Sequence, residues 1–261
     1  MPFTAKLLVI SPWLLLILIN ATFVAFSLMI AAIIKYCFPY ETRISHHDVA
    51  SSIYSTTVSI FGIMLAFVVV LLWQQYNRAA DNALKEGKEA LQVYRDLRVY
   101  PNKGEAAPTV KALMEFVKSL IDEEYPAMGQ MRTSPNTDQA LHNLSVSLAR
   151  IQPKNSQEQL LFSKVLRNLD NLANLRDTRL MDMDSSLPDI LWAAILIGGA
   201  VTITFSNFLG GEKFWMHAFF TTLLVIIIGT IVFLIIELDY PFVGVISAKP
   251  TSYIKLLQVM K

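Results

Sequence analysis

The sequence predicts an all-α integral membrane protein with four transmembrane helices and a helical cytoplasmic domain, and three observations carry that prediction. Of 261 residues, 54% are hydrophobic and only 16% charged, where a soluble domain carries about a quarter charged. The charge is withheld from four runs, 7–34, 49–77, 190–211 and 214–236, which contain no Asp, Glu, Lys or Arg. Each run exceeds the roughly 20 helical residues that cross a hydrocarbon core about 30 Å thick. Outside these runs apolar residues recur at helical spacing, and no alternating stretch suggests a strand.

The first span covers Leu7–Ile34. It is too long for a secretory h-region and follows only Lys6, so it reads as a retained helix, kinked or interfacial at Ser11-Pro12. The second covers Ala50–Trp73, the third Ile190–Leu209 and the fourth Phe214–Ile236. Basic residues near the span ends set orientation. One side holds Lys6, Arg78, Lys85, Lys88, Arg176, Arg179, Lys249 and Lys255; the other holds Lys35, Arg43 and Lys213. That bias puts both termini and segment 78–187 in the cytoplasm, with the spans in the plasma (inner) membrane. The predicted organisation is membrane helices 1 and 2 in 1–77, a cytoplasmic domain in 78–187, helices 3 and 4 in 188–240, and a cytoplasmic tail in 241–261.

Segment 78–187 holds 15 basic and 15 acidic residues. Ala80, Leu84, Gly87, Leu91 and Tyr94 form one helical stripe that extends the second span. Val110, Leu113, Met114, Val117, Leu120 and Ile121 form the next, ending at Tyr125-Pro126. Leu141, Leu144, Leu148 and Ile151 follow the turn at Ser134-Pro135, and Leu161, Val165, Leu169, Leu172 and Leu175 lead back to Leu187-Pro188. Residues 101–104 and 151–155 read as loops.

Composition excludes several functions. A net charge of +1 without a basic patch gives no reason to expect nucleic acid. The single cysteine, Cys37, excludes an intramolecular disulfide and a multi-cysteine metal site. No phosphate loop, His-Glu-x-x-His helix or nucleophile elbow is present, so no enzyme, catalytic residue or cofactor is expected. No ionisable cluster lies within a span, against a proton-coupled transporter.

The second span carries the most informative pattern. Ser52, Ser55, Ser59, Gly62 and Ala66 are spaced 3, 4, 3, 4 and share one helix face. Small faces let membrane helices approach closely; small hydroxyls also suit a pore wall, because they leave room and hydrogen-bond water or ions. Both readings hold if the helix packs against copies of itself round an axis, with Val69 and Trp73 as an apolar constriction. Glu237 and Asp239 end the fourth span facing the unfavourable end of the helix dipole, and Arg176 and Arg179 are expected to pair with them at the inner mouth. In His46-His47-Asp48, Asp48 caps the second span and metal binding has little support. Asn20 and His217 read as interhelical hydrogen-bond partners, Gly198-Gly199 as a close-packing site, and Asp122-Glu123-Glu124 as a solvated helix end.

Gly62-Ile-Met-Leu-Ala-Phe-Val-Val69, Trp73-Gln-Gln-Tyr76, Glu124-Tyr-Pro-Ala-Met128, Leu187-Pro188 with Trp192, and Leu238-Asp-Tyr-Pro-Phe242 with Gly244 occur in this order. Together, over about 50–250, they resemble the bacterial bestrophin-like membrane family, a domain of unknown function. Tyr125 and Tyr240 depart from its pattern, standing where Trp and a charged residue are expected. The resemblance implies the bestrophin plan: a pentameric ion channel, four membrane helices per subunit, the second lining the pore, and cytosolic termini. The expected partners are therefore membrane lipids, inorganic ions and further copies of the chain. The alternative is a non-conducting anchor or scaffold whose cytoplasmic helices bind a partner protein.

Overall fold

The computed structural model describes residues 7–8, 10–37, 47–209 and 214–260. Its helices are α1 (Pro12–Cys37), α2 (His47–Val99), α3 (Lys103–Ser119), a π-helical turn (Leu120–Glu124), α4 (Tyr125–Met128), α5 (Pro135–Ala149), α6 (Ser156–Met183), α7 (Asp189–Phe208), α8 (Phe214–Asp239) and α9 (Thr251–Met260). No strand occurs among the described residues. The chain forms two compact units, an apolar one of residues up to Gln74 with Ser186–Asp239, and a polar one of Gln75–Ser185 with Tyr240–Lys261. Four helices are long and apolar enough to span a bilayer: Pro12–Cys37, Asp48–Val99, Asp189–Phe208 and Trp215–Asp239.

In the apolar unit α1 starts at Pro12, a residue suited to a first helical turn because its missing N–H needs no partner there. The Leu15 N–H donates to Ser11 C=O at 2.9 Å, and Leu7 lies in a separate turn closed by Ile10 N–H. The expected kink at Ser11-Pro12 is thus a helix start. Helix α1 packs on α8 and α7, and α7 on α8. Small and polar groups make these contacts, as expected where lipid removes the hydrophobic drive between helices. Asn207 Nδ2 donates to Ser27 Oγ at 3.0 Å, and Ser206 and Thr221 hydroxyls meet at 3.4 Å. The side chain of Asn20 bonds its own helix at Leu16 C=O, and its Oδ1 lies where a Cβ on Gly229 would stand. His217 Nε2 faces Thr221 Oγ1 at 3.3 Å.

The polar unit has one main apolar core, in which Val93, Leu97, Leu113, Phe116, Leu144 and Leu172 meet Tyr253 and Leu256 of α9. Its helix starts are capped by side chains. Asn102 accepts from Glu105 N–H, Ser134 Oγ from Thr137 N–H and Asn155 Oδ1 from Glu158 N–H at 2.8 Å, while Glu158 Oε2 accepts from Lys154 N–H. Such caps satisfy backbone donors that a first turn leaves open. The loop expected at 101–104 is shorter, because Asn102 caps a helix that starts at Lys103.

Two sequence expectations need correction here. The helical path does not end at Tyr125-Pro126. It widens into the π turn, where Tyr125 N–H reaches Leu120 C=O, and continues to Met128. A widened turn accommodates the ring and missing donor of a proline that would strain a regular α-helix. The buried stripe of α2 is also offset from the one expected. Ala79, Ala83, Glu86, Ala90, Val93 and Leu97 face inward, while Leu84 is exposed. Small alanines let α2 approach its neighbours closely, and the charge among them has a partner. Beyond α8, Gly244 adopts φ 83°, a left-handed conformation that favours glycine.

Candidate functional site

Two features stand out. The first is the membrane portion of α2. Phe61, Leu65, Val68 and Leu72 are buried against the rest of the apolar unit. Ser52, Ser55, Ser59, Gly62 and Ala66 are exposed, Val69 is half-buried and Trp73 is half exposed. A Cβ added to Gly62 would meet nothing within 4 Å. Within one chain the small face is therefore no packing seam; it is turned outward. Ser59 Oγ donates to Ser55 C=O at 2.8 Å and Thr56 Oγ1 to Ser52 C=O at 3.1 Å. Their donors are thus used within the helix, leaving oxygen lone pairs toward the outside.

The exposed surface of α2 is not uniform. At about 100° per residue, the small residues lie on average about 130° to one side of the buried face. Ile60, Ile63 and Phe67, exposed by 65%, 58% and 71%, lie about as far to the other side. One helix thus presents a face to its own chain's core, a small hydroxyl-bearing flank and a bulky apolar flank.

The second feature is a buried charge network in the polar unit. Arg179 grips Glu86 through Nε to Oε2 at 2.5 Å and Nη2 to Oε1 at 3.1 Å, and reaches Glu124 through Nη2. Arg176 donates from Nε to both Glu124 oxygens at 3.1–3.2 Å and from Nη2 to Glu124 and Asp138. Glu86, Glu124 and Arg179 have no solvent exposure. Burial alone would lower the Arg179 pKa, but the adjacent Glu86 carboxylate holds it well above its ordinary value. Tyr125 lies under the guanidinium, 4.8 Å from ring centroid to Cζ, and edges Phe242 at 6.4 Å. Burial pushes the Tyr125 and Tyr253 phenols up, and the Glu86 carboxylate adds to both shifts.

Within the polar unit the two arginines find carboxylate partners at Glu86, Glu124 and Asp138. The reason lies in the spacing of α6, where Arg176 and Arg179 continue the inward row Val165, Leu169, Leu172 and so enter the core of their own unit. Asp239 accepts from the Leu187 backbone N–H at 2.6 Å, joining the end of α8 to the turn before α7. Glu124 is not solvated. Only Asp122 and Glu123 of that acidic run face outward, and Glu123 accepts from Asn136 at 2.8 Å. Asp48 lies in the first turn of α2; His46 and the His47 side chain lie outside the described residues. Among the described residues no three His, Cys, Asp or Glu side chains converge as a metal site.

The fold has close counterparts. A bacterial bestrophin homologue from Klebsiella pneumoniae, in a single-substitution variant, superposes with a TM-score of 0.71 at 13% identity, covering 94% of this chain and 97% of that one. A second variant of it gives 0.72 at 14% identity, covering 94% and 95%. A structure described as a membrane protein gives 0.71 at 13% identity, covering 94% and 97%. Among proteins of curated function none matches this chain. The family model for the bestrophin-like domain matches residues 21–253, from the middle of α1 into α9, and the chain belongs to the bestrophin-like domain family.

Proposed function

We propose that the chain is one subunit of a homo-oligomeric, pentameric ion channel of the bacterial inner membrane, with α2 at its axis and both termini in the cytoplasm. The observation that carries this reading is the outward-turned small face of α2, together with family membership. In a ring of copies the small flank of each α2 faces the axis while its bulky flank packs against the neighbouring copy, a head-to-tail contact that closes when the rotation closes. Ser52, Ser55, Ser59, Gly62 and Ala66 line the wide part of the pathway, and Val69 with Trp73 narrows it. The outward lone pairs of the Ser59 hydroxyl offer ions hydration without fixed charge. The paired, buried charges at Arg176 and Arg179 form no selectivity ring. With no catalytic constellation in the sequence, the role proposed is conduction and not catalysis.

The test is ion flux into liposomes containing the purified oligomer. Replacing Ser59 with Leu should abolish flux while the oligomer survives; undiminished flux would remove Ser59 from the wall. Cysteines at 52, 55 and 59, in a background lacking Cys37, should react with small water-soluble thiol reagents. A specific observation favours a second lining: Ile63 and Ser59 each lie about 160° from buried Phe61, on opposite sides. Reaction at 63 and 67 but not at 55 and 62 would put the bulky flank on the axis.

A further inference from the structure

Phe61 of α2 lies against the glycine pair of α7. A Cβ at Gly198 would stand 2.5 Å from Phe61 Cδ2 and 2.7 Å from Cε2. At Gly199 it would stand 3.7 Å from Cζ, with Phe23 of α1 and Ile228 of α8 each 3.9 Å away. The ring is 6% exposed, and neither glycine has a left-handed φ, so space and not backbone conformation explains the glycines. We propose that Gly198-Gly199 is a notch that takes the Phe61 ring and fixes the rotation of α2 about its own axis. Gly198 and Phe61 are then positioning residues for the face that α2 presents. Their consequence for conduction rests on the channel reading; the notch itself does not.

The geometry sets the size of the effect. Ordinary carbon contact begins near 3.4 Å, so a methyl at 198 displaces the ring by about 1 Å. On a helix whose radius with side chains is about 5–6 Å, that movement corresponds to a turn of about 10°. With the ring kept in its rotamer, the displacement passes to α2. Gly199 tolerates the same methyl without movement, because 3.7 Å is already an ordinary contact.

The test uses the full-length oligomer in lipid, with Cys37→Ser and a single spin-labelled cysteine at 59 or 63. Collision with dissolved oxygen reports lipid exposure at each position whether or not a pore exists. Gly198→Ala should change the 59-to-63 accessibility ratio, and Gly198→Ala with Phe61→Leu should restore it. Gly199→Ala should leave it unchanged. Flux, measured in parallel, should fall about tenfold in Gly198→Ala, equivalent to about 1.4 kcal/mol, and recover in the double variant. A ratio unmoved by Gly198→Ala overturns the proposal, as does a double variant that fails to restore it. Should Gly198→Ala not assemble, Phe61→Leu alone empties the notch and must shift the ratio, and an unchanged ratio there is equally fatal. A ratio that moves and recovers in a protein without flux in any form upholds the notch and refutes the channel.

Discussion

Arg179→Met is the sharpest perturbation of the polar unit. The guanidinium holds Glu86 by two hydrogen bonds and Glu124 by a third, and all three side chains are shut off from water. Removing it leaves Glu86 as a buried carboxylate without its cation, while Glu124 keeps Arg176. Breaking one partner of a buried pair costs about 3–5 kcal/mol. For a protein of this size 1 kcal/mol moves the midpoint by about 2–4 °C, so the melting temperature should fall by about 6–20 °C. The exposed i,i+4 pair Lys85–Asp81, at 3.2 Å, is the internal control, and Asp81→Asn should cost only about 0.3–0.5 kcal/mol. Thermal unfolding of the purified protein, followed by tyrosine and tryptophan fluorescence, reads both. Adding Glu86→Gln to Arg179→Met should recover part of the loss, because the orphaned charge is gone. If Arg179→Met melts within a degree or two of Asp81→Asn, the network is no buried lock and the reasoning fails.

Other outcomes follow from the same unit. Gly87→Ala drives a methyl into Ser252, whose Oγ donates to Ala83 C=O at 3.3 Å; overpacking of this kind costs about 1–3 kcal/mol. Limited proteolysis should cut 240–261 faster in that variant, and Ser252→Gly should reverse the change. Tyr125 contributes to the alkaline limb of stability. Burial raises its phenol pKa in the fold, so the unfolded chain releases that proton first. The contribution is complete below about pH 10 and is lost as pH rises from there through the folded value. Tyr125→Phe should flatten the fall in unfolding midpoint between about pH 9 and 11, and a slope equal to that of the parent would contradict the assignment.

Much of the membrane part was legible because lipid imposes a coarse rule: every span must be long and without charge. The runs at 7–34, 49–77, 190–211 and 214–236 obey it, and α1, α2, α7 and α8 lie over them. The small face of α2 was equally readable, since a 3, 4, 3, 4 spacing needs no tertiary knowledge. Pairing was harder. Glu237 and Asp239 looked like partners for Arg176 and Arg179 because all four flank a span in sequence. The signal for partners within the polar unit was nevertheless present. Val165, Leu169, Leu172, Arg176, Arg179 and Met183 are spaced 4, 3, 4, 3, 4, and Ala79, Ala83, Glu86, Ala90, Val93 and Leu97 likewise. A charge that falls in register with an apolar stripe is a buried charge and requires a buried partner. The Phe61 notch was half legible: Gly198-Gly199 announced close packing, but only the three-dimensional fold names the ring that fills it. The π turn before Pro126 carries no recognisable periodicity and could not have been read.

The central claim is that α2 surrounds an axis, and the direct measurement is single-particle imaging of the detergent-purified protein. The account predicts a closed ring of five copies with α2 innermost and Ser52, Ser55 and Ser59 facing the centre. A monomer, or a dimer with Ser52, Ser55 and Ser59 sealed between two copies, would leave no axial pathway and would contradict it.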